Sequence, residues 1–137
     1  MESLAGKEID KIIGKRFKFR GRGPEEFDCL GAVIYLTDKI FGIKLVDPFD
    51  SKLQGSILNR IAKFRAQYTP IDPKRKLECG DVLYHQRKTN KFEHHVVFVE
   101  NKRWGVMVGE ETGVCRLQLS RIRKNKNICS YRLKSQW

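Results

Sequence analysis

The chain has 137 residues, of which 40% are hydrophobic, and its formal net charge at pH 7 is +12. This length and apolar fraction are typical of one folded domain and exclude a disordered chain. No apolar run approaches the roughly 18 residues of a membrane-spanning helix, and the N-terminus lacks the basic flank and apolar stretch of a signal peptide. We therefore predict a single domain over residues 1–137, without a membrane span, that is made in the cytoplasm.

The excess positive charge is concentrated in the second half. Residues 73–137 hold 15 basic and 6 acidic residues, whereas residues 1–72 hold 13 and 10. Such a surface attracts polyanions: nucleic acid, teichoic-acid-like polymers, anionic lipid or an acidic protein. A solvated basic face that serves solubility is the alternative. The sequence has no RNP motif and no paired zinc ligands, so charge alone does not indicate a nucleic-acid-binding protein.

The first half has the pattern of helices. Apolar residues recur near helical spacing in three segments, residues 4–13, 27–41 and 51–66. Asp28 is the predicted N-cap of the second helix, and Gly42 is its predicted end. Residues 14–26 are rich in glycine and charge and predict an irregular loop.

The second half has the pattern of strands. Five short β-branched or alternating segments are separated by short polar links: residues 81–85, 93–100, 105–108, 114–119 and 128–133. Short links are typical of an antiparallel meander. We therefore predict an α+β fold, with N-terminal helices packed on one face of a C-terminal antiparallel sheet of about five to six strands.

Cys29 is the first candidate for chemistry. It opens the second predicted helix, where free N–H groups and the helix dipole stabilise a thiolate and lower its pKa. A cysteine there is a candidate nucleophile, although a lone cysteine is often a small core residue.

We predict structural roles for the other three cysteines. The sequence has no CxxC pair, and we expect free thiols. Cys115 and Cys129 lie in apolar predicted strands, so we predict that they are core thiols. We predict that Cys79 is a turn residue. A zinc site from Cys29, Cys79 and one histidine lacks the usual ligand spacing, so we predict no metal.

A thiol nucleophile needs a base, and three histidines are available: His85, His94 and His95. His94 and His95 are adjacent on one predicted strand, so they belong to opposite faces. His94 shares its face with positions 96 and 98, and His95 with positions 97 and 99. Both faces are apolar, so periodicity alone does not choose between them.

Several motifs, in order along nearly the whole chain, resemble the NlpC-like cell-wall cysteine peptidases, especially the short versions of bacteriophage tails. The matching segments are Ile13–Phe17, Gly21–Pro24 with Phe27–Gly31, Phe41–Leu45, Gly80–Tyr84, His95–Val99, Thr112–Val114 and Ser130–Arg132. Each segment alone is a weak signal. The ordered set, with cysteine before histidine and Gly-Asp between them, is more specific.

The resemblance implies a papain-like core that uses no cofactor. Carried over by position, Cys29 is the nucleophile and His95 is the general base and acid, while Phe17 and Asp28 contact substrate. The residue that orients the histidine falls near Met107, which is apolar, and Glu110 is a possible substitute.

The resemblance also implies a function. A thiol hydrolase of this family would cut an amide bond in a peptidoglycan stem peptide, and its partners would be phage tail proteins in a virion. Met107 and Phe17 depart from the family pattern and favour an alternative, a tail or adaptor module that keeps the fold without the chemistry. A basic polyanion-binding domain is the lesser alternative.

Overall fold

The computed structural model describes residues 3–72, 74–86, 94–123 and 128–134, with the side chains of residues 86, 94 and 95 outside that description. Its elements, in chain order, are α1 (Leu4–Asp10), β1 (Arg16–Phe17), β2 (Glu26–Phe27), α2 (Cys29–Phe41), α3 (Ile57–Arg65), β3 (Tyr68–Ile71), β4 (Val82–Gln86), β5 (His94–Val99), β6 (Trp104–Gly109), β7 (Gly113–Gln118), α4 (Leu119–Ile122) and β8 (Ile128–Leu133). The predicted α+β class is confirmed.

The main sheet has six strands in the order β3-β8-β4-β5-β6-β7, and neighbouring strands are antiparallel. Strands β4 to β7 form the predicted meander. The last strand departs from it, because β8 returns between β3 and β4. Strand β3 was not predicted, since Pro70 interrupts its pattern, but β3 lies at the sheet edge, where a missing N–H is tolerated.

Local signals set both ends of α2, as predicted. The Asp28 side chain accepts a hydrogen bond from the Gly31 N–H, and Gly42 ends the helix with a φ of 69°. Only glycine adopts that left-handed backbone at little cost. The apolar side of α2, which includes Val33 and Leu36, is buried against the sheet.

The sheet separates two apolar clusters. Helices α1 and α2 pack on the helix-covered face, whose strand residues include Val96, Phe98, Val106, Val108 and Val114. The opposite face carries a second cluster that includes Leu83, Val97, Val99, Met107, Leu117 and the α4 residues Leu119 and Ile122. Alternate positions along each strand thus belong to different faces.

Three local predictions are wrong. The loop over residues 14–26 contains β1 and β2, a short parallel pair. Helix α3 starts at Ile57 rather than 51, because the Ser56 side chain caps it, and none of its nine residues is fully buried. Cys129 is exposed rather than a core thiol, since α2 packs mainly over β5 and β6.

A buried ion pair joins β4 to β8. Asp81 is fully buried, and its carboxylate accepts hydrogen bonds of 2.8 Å from both Nε and Nη2 of Arg132. The backbone N–H of Glu78 donates to the same carboxylate at 2.8 Å. The Gly80-Asp81 motif of the sequence therefore anchors two neighbouring strands.

Among the described residues, no helix is long and apolar enough to cross a membrane.

Candidate active site

Cys29 is the first residue of α2, and its thiol is half-buried against β5. The backbone N–H groups of Val96, Cys29 and Leu30 favour the charged form of the sulfur and lower the pKa of the thiol. The thiol thus lies near Val96, the residue that directly follows His94 and His95 in the chain.

The Cys29 thiol is less acidic than its position in the sequence suggests. Burial raises the pKa of Cys29 above its ordinary value, the charge of Asp28 raises it further, and the backbone N–H groups offset only part of this. The prediction of a lowered pKa is therefore wrong in direction, because desolvation outweighs the helix start. A base must take the proton before this thiol can attack at neutral pH.

An arginine joins the loop before Cys29 to the segment after α2. Arg22 donates to both carboxylate oxygens of Asp47, at 2.6 and 3.2 Å, and to Asp28 at 2.8 Å. The pKa of Asp47 is lowered by its hydrogen bonds from Arg22 and the Phe49 N–H, which outweigh the opposing burial. Arg22 therefore holds the residue that caps the nucleophile helix.

Close backbone packing also positions Cys29. The Asp28 N–H donates to the Gly21 carbonyl oxygen at 3.2 Å, and a Cβ added at Gly31 would overlap that same oxygen. Glycine two positions after the cysteine is therefore required for the loop to lie against the first turn of α2.

A cavity of about 230 Å³ reaches the thiol. The described pairing of β5 with β6 ends at Phe98 and Val106. The cavity lies beyond this point. Cys29, Val96 and Val108 line one side of it, and Met107 lines the other. Its remaining lining is mostly apolar: Leu83, His85, Val97, Leu117, Arg121, Ile122 and Ile128. An extended acyl or peptide segment fits such a lining chemically.

The structure describes one of the three candidate bases fully. His85 lies in β4 and lines the cavity, and the strand register pairs it with His95. The side chains of His94 and His95 lie outside the described part of the structure. The prediction of His95 as general base therefore stays a prediction.

The expected orienting position is not polar. Met107 packs in the cluster on the opposite face of the sheet. The buried β6 residues on the helix-covered face are Val106 and Val108, and both are apolar. Glu110 lies in the exposed turn after β6 and forms no hydrogen bond or ion pair with a described residue.

The two residues predicted to bind substrate lie near the start of α2. Phe17 is paired with Phe27 across the β1–β2 pair and packs against the main core. Both carboxylate oxygens of Asp28 are engaged, with Gly31, Arg22 and the Arg20 N–H. A structural role for Asp28 is thus visible, while substrate contact by either residue stays a prediction.

The remaining thiols are not brought to Cys29 as a cluster. Cys79 lies in a turn, as predicted, and its pKa is raised to about 11 by burial and by the charges of Glu100 and Asp81. Cys115 is half-buried. Within the described ranges, no three His, Cys, Asp or Glu side chains form a group that could hold a metal ion.

Sequence reasoning missed the bridge from Arg22 to Asp47. The glycine-rich stretch around Arg22 predicts only an irregular loop. Its acidic partner lies 25 residues further along the chain, and local patterns carry no signal for such a pair. A lone arginine between two glycines was the only available hint.

The fold and the site together define a class of protein. In this class, a helix begins with a half-buried thiol and packs on an antiparallel sheet. A family model described as the NlpC/P60 family matches residues 14–125. The chain belongs to the NlpC/P60 family, which confirms the resemblance to NlpC-like proteins, whereas the phage-tail type stays a prediction.

Solved structures with the same fold agree. NlpC2 from Trichomonas vaginalis superimposes with a TM-score of 0.65 and 14% identity, over 94% of this chain and 44% of that one. The NlpC/p60 domain of the peptidoglycan hydrolase SagA gives 0.64 and 15%, over 96% of each chain. An NLP/P60-family protein from Staphylococcus aureus, described as similar to lipoprotein, gives 0.63 and 18%, over 95% of this chain and 40% of that one.

This chain thus spans less than half of the first and third of these proteins, but nearly all of the SagA domain. Among curated proteins, no sequence matches it significantly.

Proposed function

We propose that this protein is a cysteine hydrolase that cuts an amide bond in peptidoglycan stem peptides, with Cys29 as nucleophile. One observation carries the proposal: Cys29 opens α2 and lines one cavity with Val96, the residue that directly follows His94 and His95. Membership of the NlpC/P60 family supports peptidoglycan as the substrate class.

The chemistry follows from the raised pKa of the thiol. A histidine takes the Cys29 proton as sulfur attacks the amide carbon, and the backbone N–H at the helix start stabilises the oxyanion. The histidine then gives that proton to the leaving amine as the C–N bond breaks, which leaves a thioester. Water hydrolyses the thioester, with the same histidine as base, and restores the thiol.

We propose His94 as the base, whereas the sequence resemblance favours His95. Val96 and Phe98 pack on the helix-covered face, and Val97 and Val99 pack on the opposite one. Alternation gives position 94 the parity of the face that carries Cys29. His95 is the alternative that the experiment below decides.

The apolar side chains at the described β6 positions on the helix-covered face limit the expected rate. A histidine base needs an acceptor for its second nitrogen to hold the correct tautomer. The neighbouring β6 positions on the helix-covered face, Val106 and Val108, cannot supply one. Loss of such a partner lowers rates by up to about 10⁴-fold in a comparable triad, so we expect weak activity.

Release of soluble peptide from purified sacculi tests the proposal. We expect weak release by the native protein, at least a 100-fold loss in Cys29→Ala and His94→Ala, and retained release in His95→Ala. Cys129→Ala is the matched control, because it removes an exposed thiol from the described part of β8. The rate should match the native one.

Each result has a distinct meaning. If His95→Ala abolishes release and His94→Ala does not, the base assignment reverses and the hydrolase stands. If Cys29→Ala keeps full activity, the hydrolase proposal is wrong. Circular dichroism of each variant shows whether a loss reflects unfolding.

The second candidate is a non-catalytic module of a phage tail, carried in the virion. The apolar, buried Val106 and Val108 favour it, because neither can orient the base through a polar side chain. Inactivity of the native protein on sacculi, together with binding to purified tail proteins, is the outcome that favours this candidate.

A further inference from the structure

We propose that a hollow at the β5–β6 turn binds an anionic wall polysaccharide built of sugar or polyol phosphate units. The hollow has a volume of about 370 Å³ and is lined by Lys102, Arg103, Trp104, Gln118 and Ser120. We call this set the basic hollow. It has no acidic lining residue.

The backbone of the basic hollow is held in place before any ligand arrives. The Asn101 side-chain oxygen accepts hydrogen bonds of 2.9 Å from the N–H groups of both Arg103 and Trp104. The Arg103 carbonyl oxygen accepts from the Leu119 N–H at 2.9 Å, which ties the turn to the end of β7. A preorganised turn loses little conformational freedom when it binds.

The two cations of the basic hollow are available to a ligand. Glu100, an acidic residue close by in the sequence, forms an ion pair with Arg116. The distance from Glu100 Oε1 to Arg116 Nε is 2.7 Å. Lys102 and Arg103 form no ion pair with any residue of the described ranges. An arginine fork and an adjacent lysine are suited to a phosphate group.

The other lining groups indicate a polyhydroxylated ligand. Trp104 is 37% exposed, so part of its indole can pack against the C–H groups of a sugar or polyol. Gln118, the cross-strand partner of Trp104, offers a carboxamide, and Ser120 offers a hydroxyl. These groups hydrogen-bond hydroxyls, which a purely electrostatic surface would not require.

The position of the basic hollow suits a polymer. Trp104 lies four residues before Val108, which lines the cavity at Cys29, so the two sites are roughly 13 Å apart along β6 at about 3.3 Å per residue. Trp104 also has the strand parity of Val106 and Val108. Binding at the basic hollow requires none of the chemistry proposed for Cys29.

Calorimetric titration of the Cys29→Ala protein tests the proposal without hydrolysis. The probe is a short glycerol-phosphate teichoic acid oligomer, and a neutral N-acetylglucosamine tetramer is the comparison. We expect saturable binding of the oligomer, weakened by salt, and at least tenfold weaker binding of the tetramer.

Variants locate the site. The Lys102→Ala/Arg103→Ala double variant should weaken oligomer binding at least tenfold. Lys74→Ala/Lys76→Ala removes two exposed lysines elsewhere and should change it less than twofold. Trp104→Ala should weaken binding about fivefold, and Trp104→Tyr should restore most of it while keeping an aromatic side chain in the fold.

Two results overturn the proposal. Equal weakening by the two double variants would mean that only net charge matters. Binding of duplex DNA as tight as that of the oligomer, with the same response to the variants, would make the hollow a general polyanion surface.

Discussion

At the scale of single residues, Arg22 counters the charge of the residue that caps the helix of Cys29. Asp28 caps α2 but also raises the pKa of Cys29. The guanidinium of Arg22 lies 2.8 Å from Asp28 and offsets its charge. Arg22 therefore limits, without removing, the effect of the capping carboxylate on the pKa of Cys29.

We expect Arg22→Ala to slow alkylation of Cys29 by iodoacetamide about tenfold at pH 7.5. Without the arginine, the Asp28 charge raises the thiol pKa further, and one unit of pKa corresponds to about 1.4 kcal/mol, or tenfold in thiolate. The rate profile should move to higher pH. Peptide mapping after timed labelling measures the rate at Cys29 separately from the other thiols.

Arg20→Ala is the matched control for Arg22. It removes the same charge from the same loop, but its guanidinium stacks on the Phe49 ring, 5.1 Å from the centroid. Its alkylation rate should stay within twofold of the native one, and Arg22→Lys should fall between native and Arg22→Ala. Equal slowing by both alanine variants would contradict a specific role for Arg22.

At the scale of elements, the buried pair of Asp81 and Arg132 fixes β8 beside β4. β8 follows β7 in the chain but is inserted between β3 and β4. Arg132 also donates to the Lys76 carbonyl oxygen at 3.1 Å, which ties the segment before β4 to β8. The pair therefore stabilises the one position in the sheet that departs from a meander.

We expect Asp81→Asn to lower the free energy of unfolding by about 3–5 kcal/mol, because it leaves a buried guanidinium without its countercharge. Arg132→Met should cost a similar amount. The double variant should cost less than the two single variants summed. Urea unfolding followed by circular dichroism measures each value.

The exposed pair of Lys11 and Glu8, 3.1 Å apart, is the control for burial. Lys11→Ala should change the free energy of unfolding by less than about 1 kcal/mol, since exposed ion pairs contribute little. Additive effects of Asp81→Asn and Arg132→Met would show that the buried pair is not coupled.

At the scale of the whole molecule, one core joins both halves of the sequence. The cluster on the helix-covered face combines Ile9, Phe27 and Leu36 from the first half with Phe98 and Val106 from the second. Neither half alone can bury these side chains. The helices and the sheet should therefore form one cooperative unit, as a single domain requires.

We expect one transition in urea, with the same midpoint by far-ultraviolet circular dichroism and by tryptophan fluorescence. The first signal follows the helices and strands, and Trp104 reports on β6. Separate midpoints would contradict a single domain. Because the sequence has two tryptophans, Trp137→Phe isolates the signal of Trp104.

The sequence by itself determined the features that short-range physics controls. Asp28 and Gly42 fixed the ends of α2 through a side-chain cap and a left-handed residue, which depend only on neighbours in the chain. The strands from β4 to β8 were visible as alternating β-branched segments. The order of motifs around Cys29 indicated the family.

Only the tertiary structure decided what depends on residues distant in the chain. The return of β8 beside β4 rests on Arg132 and Asp81, which lie 51 positions apart. The raised pKa of Cys29 arises because packing against β5 desolvates the thiol, and helix position alone predicted the opposite. The side chains of each strand alternate between the two faces of the sheet, and this is visible in the sequence. Which face α2 covers is not, because that depends on how distant elements pack.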